Sequence, residues 1–224
     1  MSVRLAVFAS GGGSNLQALL DRFADTAHVR IALVVSDRAG SGALARAQSA
    51  GVPAVHIAAA GRNEADVAAE TIAALSAHRI DLLALAGYLR LVPPAVVGKY
   101  SGHILNIHPA LLPAFGGAGM YGRHVHEAVL AAGCRVTGAT VHYVDERYDE
   151  GRIIAQWPVP VLPGDTPALL AARVLEVEHR LYPAVIDAIA RGVSGESDAS
   201  AGESFQLGGD KPPPDQHIIA IARI

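Results

Sequence analysis

A chain of 224 residues, half of it apolar with few aromatics, suits one domain with a full core, or one domain plus a tail. The net charge of −3 and the absence of any basic tract argue against a nucleic-acid surface; only two lysines, Lys99 and Lys211, accompany the arginines. Cys134 is the single cysteine, which excludes an intramolecular disulfide and a Cys-based metal cluster; with no apolar run near the ~18 residues of a membrane span and no signal-peptide pattern, a reduced, cytoplasmic setting is expected.

Residues 3–9 read as a short buried strand, followed by a turn over 10–15 and a helix over 16–23 with Leu16, Leu19, Leu20 and Phe23 on one face. A second strand is predicted over 29–36. A helix over 42–50 is closed by Gly51 as a C′ glycine. A strand over 54–57 precedes a long amphipathic helix over 63–77, for which Asn63 is the natural N-cap. Residues 81–86 form a fourth strand, Pro93-Pro94 open a helix, and 103–107 form a fifth strand. Strands alternating with helices at this spacing mean βαβ units and a parallel sheet. Ligands of such sheets bind outside the carboxyl ends of the strands, where Asn15, Arg90, Asn106 and His108 are expected.

The second half changes character. A Gly- and Pro-rich loop covers 111–122, and a short helix covers 124–132. Strands over 135–144 and 153–162 are joined by a polar loop, which predicts an antiparallel pair at a sheet edge. A long helix over 166–190 places Leu169, Leu170, Val174, Leu175, Leu181, Val185 and Ile189 at apolar positions. From Val193 the composition shifts to Gly, Ser, Asp and Pro, which reads as a flexible tail; the apolar end over 218–224 suits a terminal strand. The expected fold is α/β: a Rossmann-like, mostly parallel sheet flanked by helices, with an antiparallel edge. One domain over 1–192 is expected, with a phosphate-binding half over 1–100 and a catalytic half over 101–192.

Three stretches carry chemistry. Ser10-Gly11-Gly12-Gly13-Ser14-Asn15 lies between strand and helix, where glycines allow close backbone approach and the helix N-terminus offers unpaired N–H groups. It suits a phosphate, or simply a tight turn with a Ser cap. Asp37 ends the second strand where a dinucleotide fold places a ribose-binding acid, but the third glycine of that fingerprint is missing. In Leu105-Asn106-Ile107-His108-Pro109, strand alternation puts Asn106 and His108 on one side. Asn donates to a developing oxyanion and His moves a proton near neutral pH, although a strand end with a hydrogen-bonded Asn and a surface His has the same pattern. Thr140 and His142 share a face of a later strand, and Asp149 follows in a loop with Asp145, Glu146 and Glu150. These acids suit a solvated hairpin. A carboxylate beside His108 would instead raise its pKa and fix its orientation.

The runs SGGGSN, AGYLRLV, NIHPALLPAF, GATVHYVD, YDEG and EHRLYP, in this order, closely resemble the phosphoribosylglycinamide formyltransferase family. The resemblance spans about residues 3–192. It implies transfer of a formyl group from 10-formyltetrahydrofolate to the amine of glycinamide ribonucleotide in purine biosynthesis, through a tetrahedral intermediate and without a metal. It implies Asn106, His108 and Asp149 as catalytic residues, and Gly12, Gly13, Ser14 and Asn15 as the phosphate-binding loop. It implies Leu89, Arg90, Leu91, Val92, Asn106, Val144 and Asp149 around the folate, with Arg62 near the folate tail and a cis peptide at Leu112-Pro113. Small-molecule substrates follow, with no nucleic acid or membrane partner, in a monomer or homodimer. Ala110, Gly116 and the insert over 119–122 depart from the family pattern. Formyltetrahydrofolate deformylase resembles this chain too, but carries an N-terminal regulatory domain and a second His in place of Pro109. The tRNA formyltransferase relative needs a C-terminal nucleic-acid domain that the tail cannot supply. A non-catalytic nucleotide-binding module would use only the glycine loop and Asp37.

Overall fold

The computed structural model describes residues 2–193, built on one seven-stranded sheet in the order β3-β2-β1-β4-β5-β6-β7. The strands are β1 (Val3–Phe8), β2 (Val29–Ser36), β3 (Ala54–His56), β4 (Leu82–Leu85), β5 (Ile104–His108), β6 (Val136–Tyr143) and β7 (Ile153–Pro160). The helices are α1 (Ser14–Phe23), α2 (Gly42–Ser49), α3 (Glu64–Ala77), α4 (Pro94–Lys99), α5 (Arg123–Ala131) and α6 (Pro167–Val193). Strands β1 to β5 pair in parallel, whereas β5 with β6 and β6 with β7 are antiparallel. The mostly parallel sheet with an antiparallel edge is therefore as expected.

Alternation along β1 explains the layering. Leu5 and Val7 face one core with Leu16, Leu19 and Phe23 of α1 and Leu170, Val174 and Leu181 of α6. Ala6 and Phe8 face a second core with Val67 and Leu75 of α3 and Val96 of α4. A parallel sheet buried on both faces needs such continuous apolar strands. Asn63 caps α3 as predicted, accepting from the Ala65 N–H at 2.8 Å, and Gly51 takes the left-handed conformation after α2. Leu169 is a correction: at 56% exposed it stands off the core, because it lies one position off the buried stripe of Leu170, Val174, Val177 and Leu181, in phase with the exposed Glu176 and Arg180. The tail expected from Val193 begins with the last residue of α6, and the terminal strand expected over 218–224 lies outside the described residues.

Two features place the site. The chain winds outward from β1 to β3 on one side and from β4 to β5 on the other, so the order reverses between β1 and β4. That switch point opens a crevice at the carboxyl ends. Loops from both sides of it are joined there: Ser10 N–H donates to Gly87 O at 3.0 Å, and Leu89 N–H donates to Ser10 Oγ at 2.9 Å. Tyr182 of α6 then keys the helix to the sheet, its buried hydroxyl lying 3.1 Å from Leu85 O and 3.0 Å from Leu105 O.

Candidate active site

A cleft of about 650 Å³ opens at the carboxyl ends of β4 and β5. Its walls come from the loop after β4, the end of β5, the loop before α5, the loop after β6 and the first half of α6. Asn106 and His108 project into it from β5, on the same side, as the alternation predicts.

Asp149 holds the centre together. Its Oδ2 accepts from Gly117 N–H at 2.9 Å and lies 3.5 Å from His108 Nδ1. Its Oδ1 lies 3.4 Å from Asn106 Nδ2 and 3.5 Å from His142 Nε2. Antiparallel register sets Asn106 opposite His142, so the Asn106 amide reaches His142 Nε2 at 3.0 Å. His142 Nδ1 lies 2.8 Å from Tyr143 O, to which it donates. Asp149 itself takes a left-handed backbone with φ of 56°. The chain can turn there because Gly151 is a glycine: a Cβ at that position would collide with the Tyr143 carbonyl. Asp149 is thus drawn out of the solvated hairpin loop, while Glu150 stays exposed.

The electrostatics correct one expectation. Burial pushes the His108 imidazolium down, and this outweighs the pull of Asp149 and of the Phe115 carbonyl, so its pKa lies below the ordinary histidine value. Asp149 raises it only against that larger opposing effect. Burial likewise pushes the Asp149 carboxyl up, but His142, His108 and the Gly117 N–H more than offset it, and it lies below the usual carboxylate value. His108 Nε2–H meets Phe115 O at 2.8 Å and Nδ1 faces Asp149, so both nitrogens face acceptors. Burial disfavours the charged ring, and each nitrogen has one acceptor to meet once the ring carries a proton.

The glycine loop is built by packing. Gly13 has φ of 74°, and a Cβ there would lie 2.9 Å from Ala43 Cα. Gly11 O and Gly12 O accept from Ala43 N–H and Arg46 Nε, which straps the loop to α2. Ser14 opens α1 with no side-chain cap, leaving its first N–H groups unpaired within the helix. Gly12, Gly13 and Ser14 lie outside the cleft wall; only Asn15 reaches it. There Asn15 Nδ2 donates to Glu178 Oε2 at 2.7 Å. Leu89, Arg90, Leu91, Val92 and Val144 all line the cleft, and Leu89 and Leu91 are exposed at 36% and 41%. Arg62 does not: its guanidinium is turned to Glu70 at 2.6 Å and Ala58 O at 3.0 Å, and it is no part of the wall. The peptide Leu112-Pro113 is cis, as the resemblance implied.

Several site residues escape a reading of sequence. Glu178 lies on α6, 163 residues from Asn15, and burial pushes its carboxyl up to about 7 against the opposing hydrogen bond from Asn15. His142 was visible as a strand neighbour of Thr140, but its approach to Asn106 needs the β5–β6 register. His126 of α5 also lines the cleft with Nδ1 buried and unpartnered. Thr140 supports the site from beneath: its hydroxyl donates to Ala110 O at 2.6 Å and accepts from Leu112 N–H and Gln156 Nε2 at 3.0 Å each. Among the described residues no cluster of His, Cys, Asp and Glu is arranged to hold a metal ion, and no helix is long and apolar enough to cross a membrane.

The sequence profile described as formyl transferase matches residues 3–186. The chloroplastic phosphoribosylglycinamide formyltransferase of Arabidopsis thaliana is 45% identical over 189 residues, covering 83% of this chain and 65% of that protein. The phosphoribosylglycinamide formyltransferase of Bacillus subtilis is 38% identical over 185 residues, covering 82% of this chain and 92% of that protein. The crystal structure of glycinamide ribonucleotide transformylase 1 from Symbiobacterium toebii superposes with a TM-score of 0.80 at 43% identity, over 85% of this chain and 89% of that one. The chain spans just under two thirds of the length of the plant relative.

Proposed function

Because the chain belongs to the formyl transferase family, we propose that it transfers the formyl group of 10-formyltetrahydrofolate to the primary amine of glycinamide ribonucleotide, yielding N-formylglycinamide ribonucleotide and tetrahydrofolate in de novo purine synthesis. One observation carries the reading. Asp149 gathers His108, Asn106, His142 and the Gly117 N–H at a single point of the cleft. The apolar segment Leu89, Leu91 and Val92 lines the same cleft, and Asn15 brings the end of the glycine loop to it. A flat heteroaromatic ring suits the first, a phosphate the second. The setting this implies is cytoplasmic.

The co-substrate supplies an activated formyl carbon. The amine forms a bond to that carbon, the bond from the carbon to the folate nitrogen breaks, and one proton passes from the amine to that nitrogen. Asn106 and His108 stabilise the formyl oxygen as it gains charge; one such donor typically contributes about 3–4 kcal/mol. For this, His108 Nε2–H exchanges Phe115 O for the formyl oxygen, and Asn106 gives up one of its two resting contacts. Asp149 steadies the charged ring and, with His108, carries the proton, most simply through water. Gly12, Gly13 and Ser14 offer backbone N–H groups to the phosphate beside Asn15. Glu178, next to Asn15, is an acceptor for hydroxyl or amine hydrogens of the nucleotide.

The test is to mix the protein with 10-formyltetrahydrofolate, with and without glycinamide ribonucleotide, and follow folate absorbance. Turnover that needs the nucleotide supports transfer. Turnover without it makes the protein a hydrolase, and no turnover with either rejects both.

A further inference from the structure

The glycine loop faces a constraint of direction. A trans peptide is planar, so each carbonyl and the N–H of the following residue point opposite ways. The loop can turn N–H groups outward only if the carbonyls before them are held inward. Each of these carbonyls is held. Gly11 O accepts from Ala43 N–H at 3.1 Å, and Gly13 O from Gln17 N–H at 2.9 Å, both backbone donors on helices. The carbonyl between them has a side-chain donor instead: Gly12 O accepts from Arg46 Nε at 2.8 Å. Fixing that oxygen fixes the Gly13 N–H on the opposite side of the same peptide.

Arg46 is itself held in place. Its Nη1 donates to Gln17 Oε1 at 2.9 Å, and Gln17 Nε2 donates to Asp21 Oδ1 at 2.8 Å, which keeps the amide oxygen turned to the guanidinium. The first turn of α2 presses on the loop: a Cβ at Gly42 would lie 2.9 Å from Gly12 O. The charge of Arg46 is unlike that of other arginines. Arg62, Arg123, Arg147 and Arg173 each meet a carboxylate oxygen at 2.6 or 2.7 Å. Among the described residues Arg46 meets neutral acceptors only, Gly12 O and Gln17 Oε1. A half-buried cation without a carboxylate partner, bound to the back of a row of outward N–H groups, is suited to an anion in front of them.

On the reading of this loop as the nucleotide's phosphate site, we infer that Arg46 is its positioning residue: it locks the Gly12 carbonyl inward, so that the Gly13 N–H faces the phosphate, and lends its positive charge to the loop from behind. The glycine turn alone supplies the N–H groups. Arg46 supplies their direction before the nucleotide arrives, which lowers the cost of ordering the loop on binding. Its charge favours a phosphate over a neutral hydroxyl at the same place.

Calorimetric titration of the full chain with glycinamide ribonucleotide, and with the glycinamide riboside that lacks the phosphate, tests this. The parent should favour the nucleotide. Arg46→Met should weaken the nucleotide by about five- to thirty-fold and leave the riboside unchanged. Arg46→Lys keeps the charge and one donor, and should recover part of the loss. In turnover, KM for the nucleotide should rise by the same factor, with kcat and the KM for 10-formyltetrahydrofolate retained. Nucleotide binding by Arg46→Met should also fall less steeply with added salt than that of the parent. If Arg46→Met yields no folded protein, Arg46→Gln carries the test, since it removes the charge and keeps an amide donor. Unchanged nucleotide binding, equal weakening of both probes, or a lysine variant no better than the neutral one overturns the inference. A parent that binds the nucleotide no better than the riboside instead overturns the phosphate reading of the loop, and the inference with it.

Discussion

Replacing Asp149 by Asn removes one charge and keeps the shape. The carboxylate lies 3.5 Å from His108 Nδ1, with the side chains only 11% and 4% exposed. Coulomb's law at that separation gives about 1 kcal/mol at the dielectric of water and about 5 kcal/mol at an effective value of 20. Burial of both groups favours the upper half of that range, so kcat should fall on the order of 10²–10³-fold. The pH profile carries a second signature. In the parent, burial already pushes the His108 imidazolium down and Asp149 partly restores it. Without Asp149 the imidazolium is harder to form, so the fall in kcat on the alkaline side should move to lower pH. The acid-side rise that reports the Asp149 carboxylate, itself below the usual value, should vanish. Stopped-flow turnover between about pH 3 and 9, at saturating substrates, measures both. A variant within about 10-fold of the parent across the range, with both limbs in place, refutes the assigned role.

Three further outcomes are expected. Glu178 has its carboxyl pushed from 4.5 to about 7 by burial, so the native state binds more protons than the unfolded chain in that window and stability falls as pH rises through it; about 3 kcal/mol is lost above pH 7. Glu178→Gln should therefore gain melting temperature relative to the parent at pH 8 over pH 4.5, and parallel curves for the two proteins reject this. Gly13→Ala forces a left-handed alanine against Ala43 Cα at 2.9 Å. It should raise KM for the nucleotide and lower stability by about 1–3 kcal/mol, and an unchanged KM counts against the phosphate loop. Thr140→Val strips partners from Ala110 O, Leu112 N–H and Gln156, which should cost about 2–4 kcal/mol and about 5–10 °C of melting temperature. A melting temperature equal to the parent's shows that the loop beneath the site does not depend on this hydroxyl.

Local pattern carried most of the architecture. Continuous apolar runs such as 82–85, bounded by turns and separated by helical periodicity, are what a sheet buried on both faces requires, and β2 lies on its expected residues throughout. The period-two reading of Asn106 and His108 held because side-chain direction along a strand is a local property. Two expectations met opposition from burial, which local pattern does not report. His108 sits in a buried place where desolvation exceeds the attraction of Asp149. Leu169 is apolar but sits one position off the buried stripe that starts at Leu170 of α6.

The amino-acid sequence by itself determined the alternating α/β plan, the glycine turn after the first strand, and the Asn106–His108 pair, because each depends on neighbours within a few residues. Its ordered motifs also named the family and pointed to Asp149. Only the tertiary structure decided which distant groups meet. The β5–β6 register sets His142 against Asn106, and Tyr182 keys α6 so that Glu178 reaches Asn15. The loop after β4 turns Arg90 back onto Asp37, while Arg62 is left at the surface with Glu70. Apart from the local Arg62–Glu70 pair, these pairings join residues tens to more than a hundred positions apart, and chain entropy assigns no preference among them until the sheet and its two cores have closed.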